Sequence, residues 1–315
     1  MVAVVGPTAT GKSDLGIALA LALGGEVVNT DAMQLYRGMD IGTAKVPLAE
    51  RQGVPHHLLD VLEPAQDASV ADYQGWGRTT LGDLTARGSR AIAVGGSGLY
   101  VRALFDHLEF PGTDAAVRSA LESRAEAEGS RALHEELARL DPAAAAAIGP
   151  RNARRVVRAL EVIAVTGRPY SATLPQHEDE VASVRIGLDC ERATLDARVA
   201  ARVERMHQQG LLDEVDRLQT VGLGRTASRA VGYAQLLAFR AGALSEAEAW
   251  ESTVVATRRL ARKQMGWFGR DPRVHWLDAQ DPDLVEHALD LVAKADAGTL
   301  GPAPVRPDGR RTLGS

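Results

Sequence analysis

The chain has 315 residues, 45% hydrophobic and 24% charged, a soluble globular mixture sufficient for about one to three domains; a largely disordered chain, collagen and a low-complexity fibre are excluded. The formal net charge of −5 argues, as an average, against a nucleic-acid binder. One cysteine, Cys190, excludes an intramolecular disulfide and a cysteine-based zinc cage, and fits a reducing compartment. In chain order, Val2–Val5 reads as a strand buried on both faces, followed by a glycine-rich loop and a helix to about Leu23 that Gly24-Gly25 stops. Glu26–Thr30 reads as a second strand ending at Asp31, and Arg90–Val94 as another, closed by Gly95-Gly96-Ser97-Gly98. Strands alternating with helices predict an α/β fold with a parallel sheet.

The pattern changes at about Thr113, where helices replace strands as far as Pro169. Asp141-Pro142 predicts a helix start, Asn152 an N-cap, and Gly167 with Pro169 a helix end. Strand character returns at Val184–Leu188 and at Val274–Leu277, with a helix between them opened by Ser245 and Glu248 in capping-box spacing. The expected organisation is a discontinuous core, 1–112 with 181–298, carrying a helical insertion, 113–180, and a disordered tail, 299–315. The apolar run Ile17–Leu23 is too short to span a bilayer and no basic segment precedes it, so the chain is read as soluble and cytoplasmic, without a membrane partner.

Charge is unevenly spread: Arg151–Arg168 carries a net +4 and Val254–His275 a net +5, leaving −14 elsewhere. Such islands suit either local phosphate contact or solvated helix faces. Only four of the 36 basic residues are lysine, so arginine abundance alone decides nothing.

Gly6-Pro7-Thr8-Ala9-Thr10-Gly11-Lys12-Ser13 satisfies the P-loop pattern between a strand and a helix. Glycines let backbone N–H groups converge, the helix N-terminus adds partial positive charge, and Lys12 adds a full one. The Ser13 hydroxyl can ligate Mg²⁺. The loop specifies a diphosphate or triphosphate, not a nucleotide. A P-loop ATPase would end an apolar strand in a Walker-B acid, yet Ile92–Val94 runs into Gly95-Gly96-Ser97. The candidate acid is Asp31, at the carboxyl edge of the next strand, where it offers either a metal ligand or a general base.

The P-loop, the Asp31–Lys45 block, Pro55–Asp60, Gly95–Tyr100, Arg158–Glu161 and Val231-Gly232-Tyr233 together resemble the tRNA dimethylallyltransferases, in order over nearly the whole chain. The long block from Asp31 is the specific part of the match. The resemblance implies a P-loop NTPase-like core, helices on both sheet faces and an inserted helical domain that embraces an anticodon stem-loop. It implies transfer of a dimethylallyl group from dimethylallyl diphosphate to N6 of adenosine 37, with the P-loop holding the donor's diphosphate. On this reading Asp31 is the catalytic base, Ser97 stands where relatives more often have threonine, and Mg²⁺ is the cofactor. Asp31, Ala32, Met33 and Gln34 would meet the extruded base, with Ser97 a catalytic and tRNA-binding residue that hydrogen-bonds near the reacting amine or a phosphate; Arg118, Arg154, Arg155 and Arg158 would touch tRNA, and Arg229 either tRNA or the leaving diphosphate. A monomer is expected. The rivals are an adenylate prenyltransferase acting on free AMP, ADP or ATP, a P-loop small-molecule kinase, and a non-catalytic RNA binder. The basic insertion argues against the first, the absent Walker B against the second, and intact Lys12, Ser13 and Asp31 against the third.

Overall fold

Val2–Val5 (β1) is buried along its whole length, which fixes it at the sheet's interior. The computed structural model describes residues 1–173 and 178–304. They divide into two compact units, one of Met1–Phe105 with the chain from Asp179 on, the other Asp106–Glu178. The boundaries fall a few residues from the expected 113–180.

In the first unit, β1 leads through the glycine loop to α1 (Lys12–Leu23), and Gly24, with φ of 61°, ends that helix in the left-handed conformation. There follow β2 (Gly25–Asn29), the two-residue β3 (His56–His57), α2 (Val70–Ala86), β4 (Arg90–Val94) and α3 (Gly98–Phe105). The strands form a six-stranded parallel sheet with β5 (Val184–Asp189) and β6 (Val274–Asp278), in the order β3-β2-β4-β1-β5-β6. Alternation settles the layers: Val2 and Val4 join one apolar cluster with Leu15 and Leu19 of α1 and Ala288 and Val292 of the last helix. Val5, on the opposite face, lines a small cavity together with Val101 of α3 and Phe268. Both faces are covered, which is why the strands read as continuous apolar runs.

The second unit holds α4 (Ala115–Glu128), α5 (Ser130–Leu140), α6 (Pro142–Ile148) and α7 (Ala153–Thr166), with no strand among its described residues. Asp141 and Asn152 cap α6 and α7 as the sequence predicts, and Gly167 closes α7 at φ 68°. Its core is aliphatic, built on Leu133, Leu137, Val156 and Leu160.

The chain then returns through β5 (Val184–Asp189), α8 (Arg192–Gln208), α9 (Leu211–Val221), α10 (Tyr233–Arg240), α11 (Glu246–Phe268), β6 (Val274–Asp278) and α12 (Leu284–Asp296). Ser245 and Glu248 form the expected capping box on α11. The tail departs from expectation. The N–H groups of Thr299 and Leu300 donate to the Lys294 carbonyl, Leu300 packs on the sheet cluster and Ala303 is buried. An apolar residue just past the helix end gives those residues a docking site that composition alone hid; residues 305–315 lie outside those described. No helix among the described residues is long and apolar enough to cross a membrane.

Candidate active site

Strand register assembles the site. Asn29 lies opposite Val94, and Val94 opposite Val4, so the segments after β2, β4 and β1 emerge side by side at the carboxyl edge. The Thr30 N–H donating to Val94 O at 2.9 Å and the Gly95 N–H donating to Val4 O at 3.2 Å carry the ladder into those loops. A cavity of about 1120 Å³ opens there, bounded by the Thr8–Leu15 segment, by Asp31 and Gln34, and by Arg198, Arg202 and Arg205 of α8.

The glycine loop is held from within and from behind. Gly6 sits at φ 135° with its Cα so close to β5 that a Cβ would stand 2.7 Å from the Leu188 carbonyl oxygen. Ala9 takes a left-handed φ of 67°, an uncommon conformation for a residue with a Cβ. The Pro7 carbonyl accepts from Thr10 Oγ1 at 2.8 Å and from Lys12 Nζ at 2.6 Å. The Thr8 N–H donates to Oε1 of Gln264, a buried α11 residue, at 2.8 Å. Ser13 lines the cavity beside Lys12.

Burial, and then the nearby charge of Arg202, pulls the Lys12 ammonium down to about 7, with Asp31 opposing. Arg202 is itself lowered by burial, again against Asp31. Two cations brought together by burial, Lys12 and Arg202, with one carboxylate near both, are the complement of a multiply charged anion.

Asp31 is pinned by Asn29, whose Oδ1 accepts the Asp31 N–H at 2.8 Å and whose Nδ2 donates to the Asp31 carbonyl at 3.0 Å. Asp31 Oδ1 accepts the Met33 N–H at 2.9 Å, an Asx turn that holds the carboxylate at the cavity rim. The Ala32 N–H donates to Ser97 Oγ at 3.2 Å, which joins Ser97 at the mouth of α3 to the Asp31–Gln34 segment. Gln34 Nε2 donates to the Thr43 and Ala44 carbonyls, so its amide nitrogen is already engaged within the segment. Arg229, in a short turn, is exposed.

In the helical unit the predicted arginines separate into two kinds. Arg118 and Arg158 both reach the fully buried Glu161, at 2.6 and 2.9 Å, and Arg158 also donates to the Pro111 and Gly112 carbonyls. Burial alone would raise the Glu161 carboxyl; hydrogen bonds from Arg118 and Arg158 outweigh it and hold it below its usual range. These two arginines hold their unit together. Arg154 and Arg155 stand exposed on α7.

Sequence reasoning missed Asn29, Gln264 and the α8 arginines. The last had a signal: positions 198, 202 and 205 share one helix face. Their charge was masked by Asp196 and Glu204 in the same stretch.

With this geometry in view, the comparisons are specific. A family model described as IPP transferase matches residues 34–271, and one described as isopentenyl transferase matches 1–61. A tRNA dimethylallyltransferase of Thermobifida fusca is 58% identical over 93% of this chain and 94% of its own length. The tRNA isopentenylpyrophosphate transferase of Bacillus halodurans is 39% identical with a TM-score of 0.70, covering 95% of this chain and 96% of that one. A eukaryotic dimethylallyltransferase, solved acting on tRNA, is 25% identical with a TM-score of 0.82, over 98% of this chain and 81% of that one. The chain belongs to the IPP transferase family, among its tRNA dimethylallyltransferases.

Proposed function

We propose that this enzyme transfers the dimethylallyl group of dimethylallyl diphosphate to N6 of adenosine 37 in tRNA, with the reacting groups as follows. The loop N–H groups and Lys12 hold the donor's diphosphate, and Arg202 faces it from α8. The allylic carbon–oxygen bond breaks, its electron pair leaving on the diphosphate, whose growing charge those cations offset. N6 bonds to the freed carbon and gives its proton to the Asp31 carboxylate. N6 is a weak nucleophile because its lone pair is shared with the ring, and a positioned base is worth about 10²–10⁴-fold. Ser97 orients the Asp31–Gln34 segment through the Ala32 N–H.

Ser13 lines the cavity beside Lys12, and its hydroxyl fits a Mg²⁺ that arrives with the donor. Ser13 Oγ and the diphosphate oxygens would hold the ion, which supplies additional positive charge against the leaving group. A base inside a loop must leave its stack to reach such a cavity, and the exposed Arg154 and Arg155 are suited to phosphates of the anticodon stem-loop. The proposal takes the enzyme to act as a monomer, in the cytoplasm where tRNA is available.

The observation that carries the reading is the meeting of the phosphate loop, Asp31 and the Ser97 turn at one sheet edge, with glycines where an ATPase would have its acid. The test offers prenyl-labelled donor with either an anticodon stem-loop or AMP. Label in the stem-loop is expected; label in AMP alone contradicts the proposal.

A further inference from the structure

The Asp31–Lys45 block, on which the acceptor side of the site depends, is anchored from outside itself. Glu214, in the first turn of α9, is 1% exposed, yet among the described residues no lysine or arginine pairs with it. Its Oε2 accepts the N–H groups of Asp40 and Ile41 at 3.0 and 2.9 Å, and its Oε1 accepts the Gly42 N–H at 3.2 Å. The fourth donor is the hydroxyl of Tyr233, at 2.5 Å and itself fully buried. A buried charge is costly unless its lone pairs are satisfied, and here four neutral donors and a helix N-terminus satisfy them. Burial, then the neighbouring charge of Glu214, pushes the Tyr233 hydroxyl far above its usual range, so it stays a donor. The contact is tight: a Cβ on Gly42 would stand 2.5 Å from the Tyr233 ring.

The clamped backbone leads directly to the site. The next two carbonyls, Thr43 and Ala44, hold the Gln34 side chain, and Gln34 lies three residues past Asp31. Lys45 then ties the segment back to Tyr36 O, Asp40 and Asp60. We infer that Glu214 and Tyr233 form a positioning pair that sets the Asp31–Gln34 segment for the acceptor base. The inference rests on the function proposed above. It gives the Val231-Gly232-Tyr233 motif a role distinct from substrate contact, and it separates acceptor alignment from donor binding, which the glycine loop and α8 govern.

The test compares full-length Glu214→Gln and Tyr233→Phe enzymes with the wild type. Glu214→Gln keeps the shape but turns an NH₂ toward backbone donors; Tyr233→Phe removes one hydroxyl. Stem-loop and donor are each varied with the other saturating, and the folded fraction at assay temperature is read by circular dichroism. Misplacement of a reacting group by about 1 Å costs up to about a hundredfold. The expected result is a fall of about tenfold or more in kcat/KM for the stem-loop in Glu214→Gln, a smaller fall in Tyr233→Phe, and a donor KM within about twofold of wild type. Equal losses toward donor and acceptor, tracking a reduced folded fraction, would make the pair merely structural and overturn the inference, as would wild-type kinetics in both variants. If the wild type labels AMP instead of RNA, the tRNA reading falls; the same comparison run with AMP then upholds or overturns the positioning role by the same criteria.

Discussion

A carboxylate that takes a proton in the transition state has a different mutational signature from one that binds. Asp31 makes one side-chain hydrogen bond, to the Met33 N–H within its own turn, so its loss leaves the sheet edge standing. Asp31→Ala is expected to keep tRNA affinity within a few-fold and to lose at least about a hundredfold in single-turnover prenyl transfer; undiminished transfer would remove the base assignment. Lys12 gives a second residue-level expectation. In the free enzyme its ammonium sits at about 7, and a bound diphosphate would raise it by supplying opposite charge. Below pH 7 the cation is already present when the donor arrives. Above it, binding must first recruit a proton, so donor affinity should fall by up to about tenfold per pH unit between 7 and 9. Calorimetry in buffers of different ionisation enthalpy at pH 8 should show proton uptake on binding, and none would contradict this account. Asp31 and Lys12 were legible because each ends or follows a strand in a contiguous motif. Asn29 was not, because its role is to clasp the backbone of a residue two positions on, and nothing in its spacing announces that.

At the scale of an element, α7 shows why counting charges along a sequence separates poorly from reading chemistry. Arg154, Arg155 and Arg158 fall within one and a half turns, yet helical geometry sends Arg158 to the buried Glu161 and leaves the first two in solvent. The variants should therefore diverge. Arg154→Gln with Arg155→Gln should raise the tRNA KM and reduce the slope of log K against log salt by about 2, with the melting temperature unchanged. Arg158→Ala leaves Glu161 with one cation fewer and should destabilise the helical unit by about 1–3 kcal/mol, seen as a lower melting temperature at any salt. A flat salt slope for the double variant would make that face of α7 an ordinary solvated surface. The short β3 is the converse case: two histidines cannot show a strand's alternation, and pairing with β2 is what makes them one.

At the scale of the whole molecule, the fold class was readable because strand and helix alternate at the start of the chain, and a fully buried parallel sheet leaves an apolar signature. What escaped notice were groups carried to the site by distant elements: Gln264 reaches the glycine loop across 256 positions, and Glu214 reaches Asp40 across 174. Neither separation leaves a mark in local pattern, and both contacts exist only because the sheet brings α9 and α11 back to the first strands' carboxyl edge. The same convergence ties the proposed chemistry to one place, since the glycine loop, Arg202 on α8 and Asp31 all border a single cavity. A crystal structure of the enzyme with a non-hydrolysable prenyl diphosphate analogue and an anticodon stem-loop examines that convergence most directly. The account predicts the diphosphate within hydrogen-bonding distance of the Gly6–Ser13 N–H groups and Lys12, and adenosine N6 within reach of the Asp31 carboxylate. A diphosphate seated elsewhere, or an adenine facing away from Asp31, would contradict it.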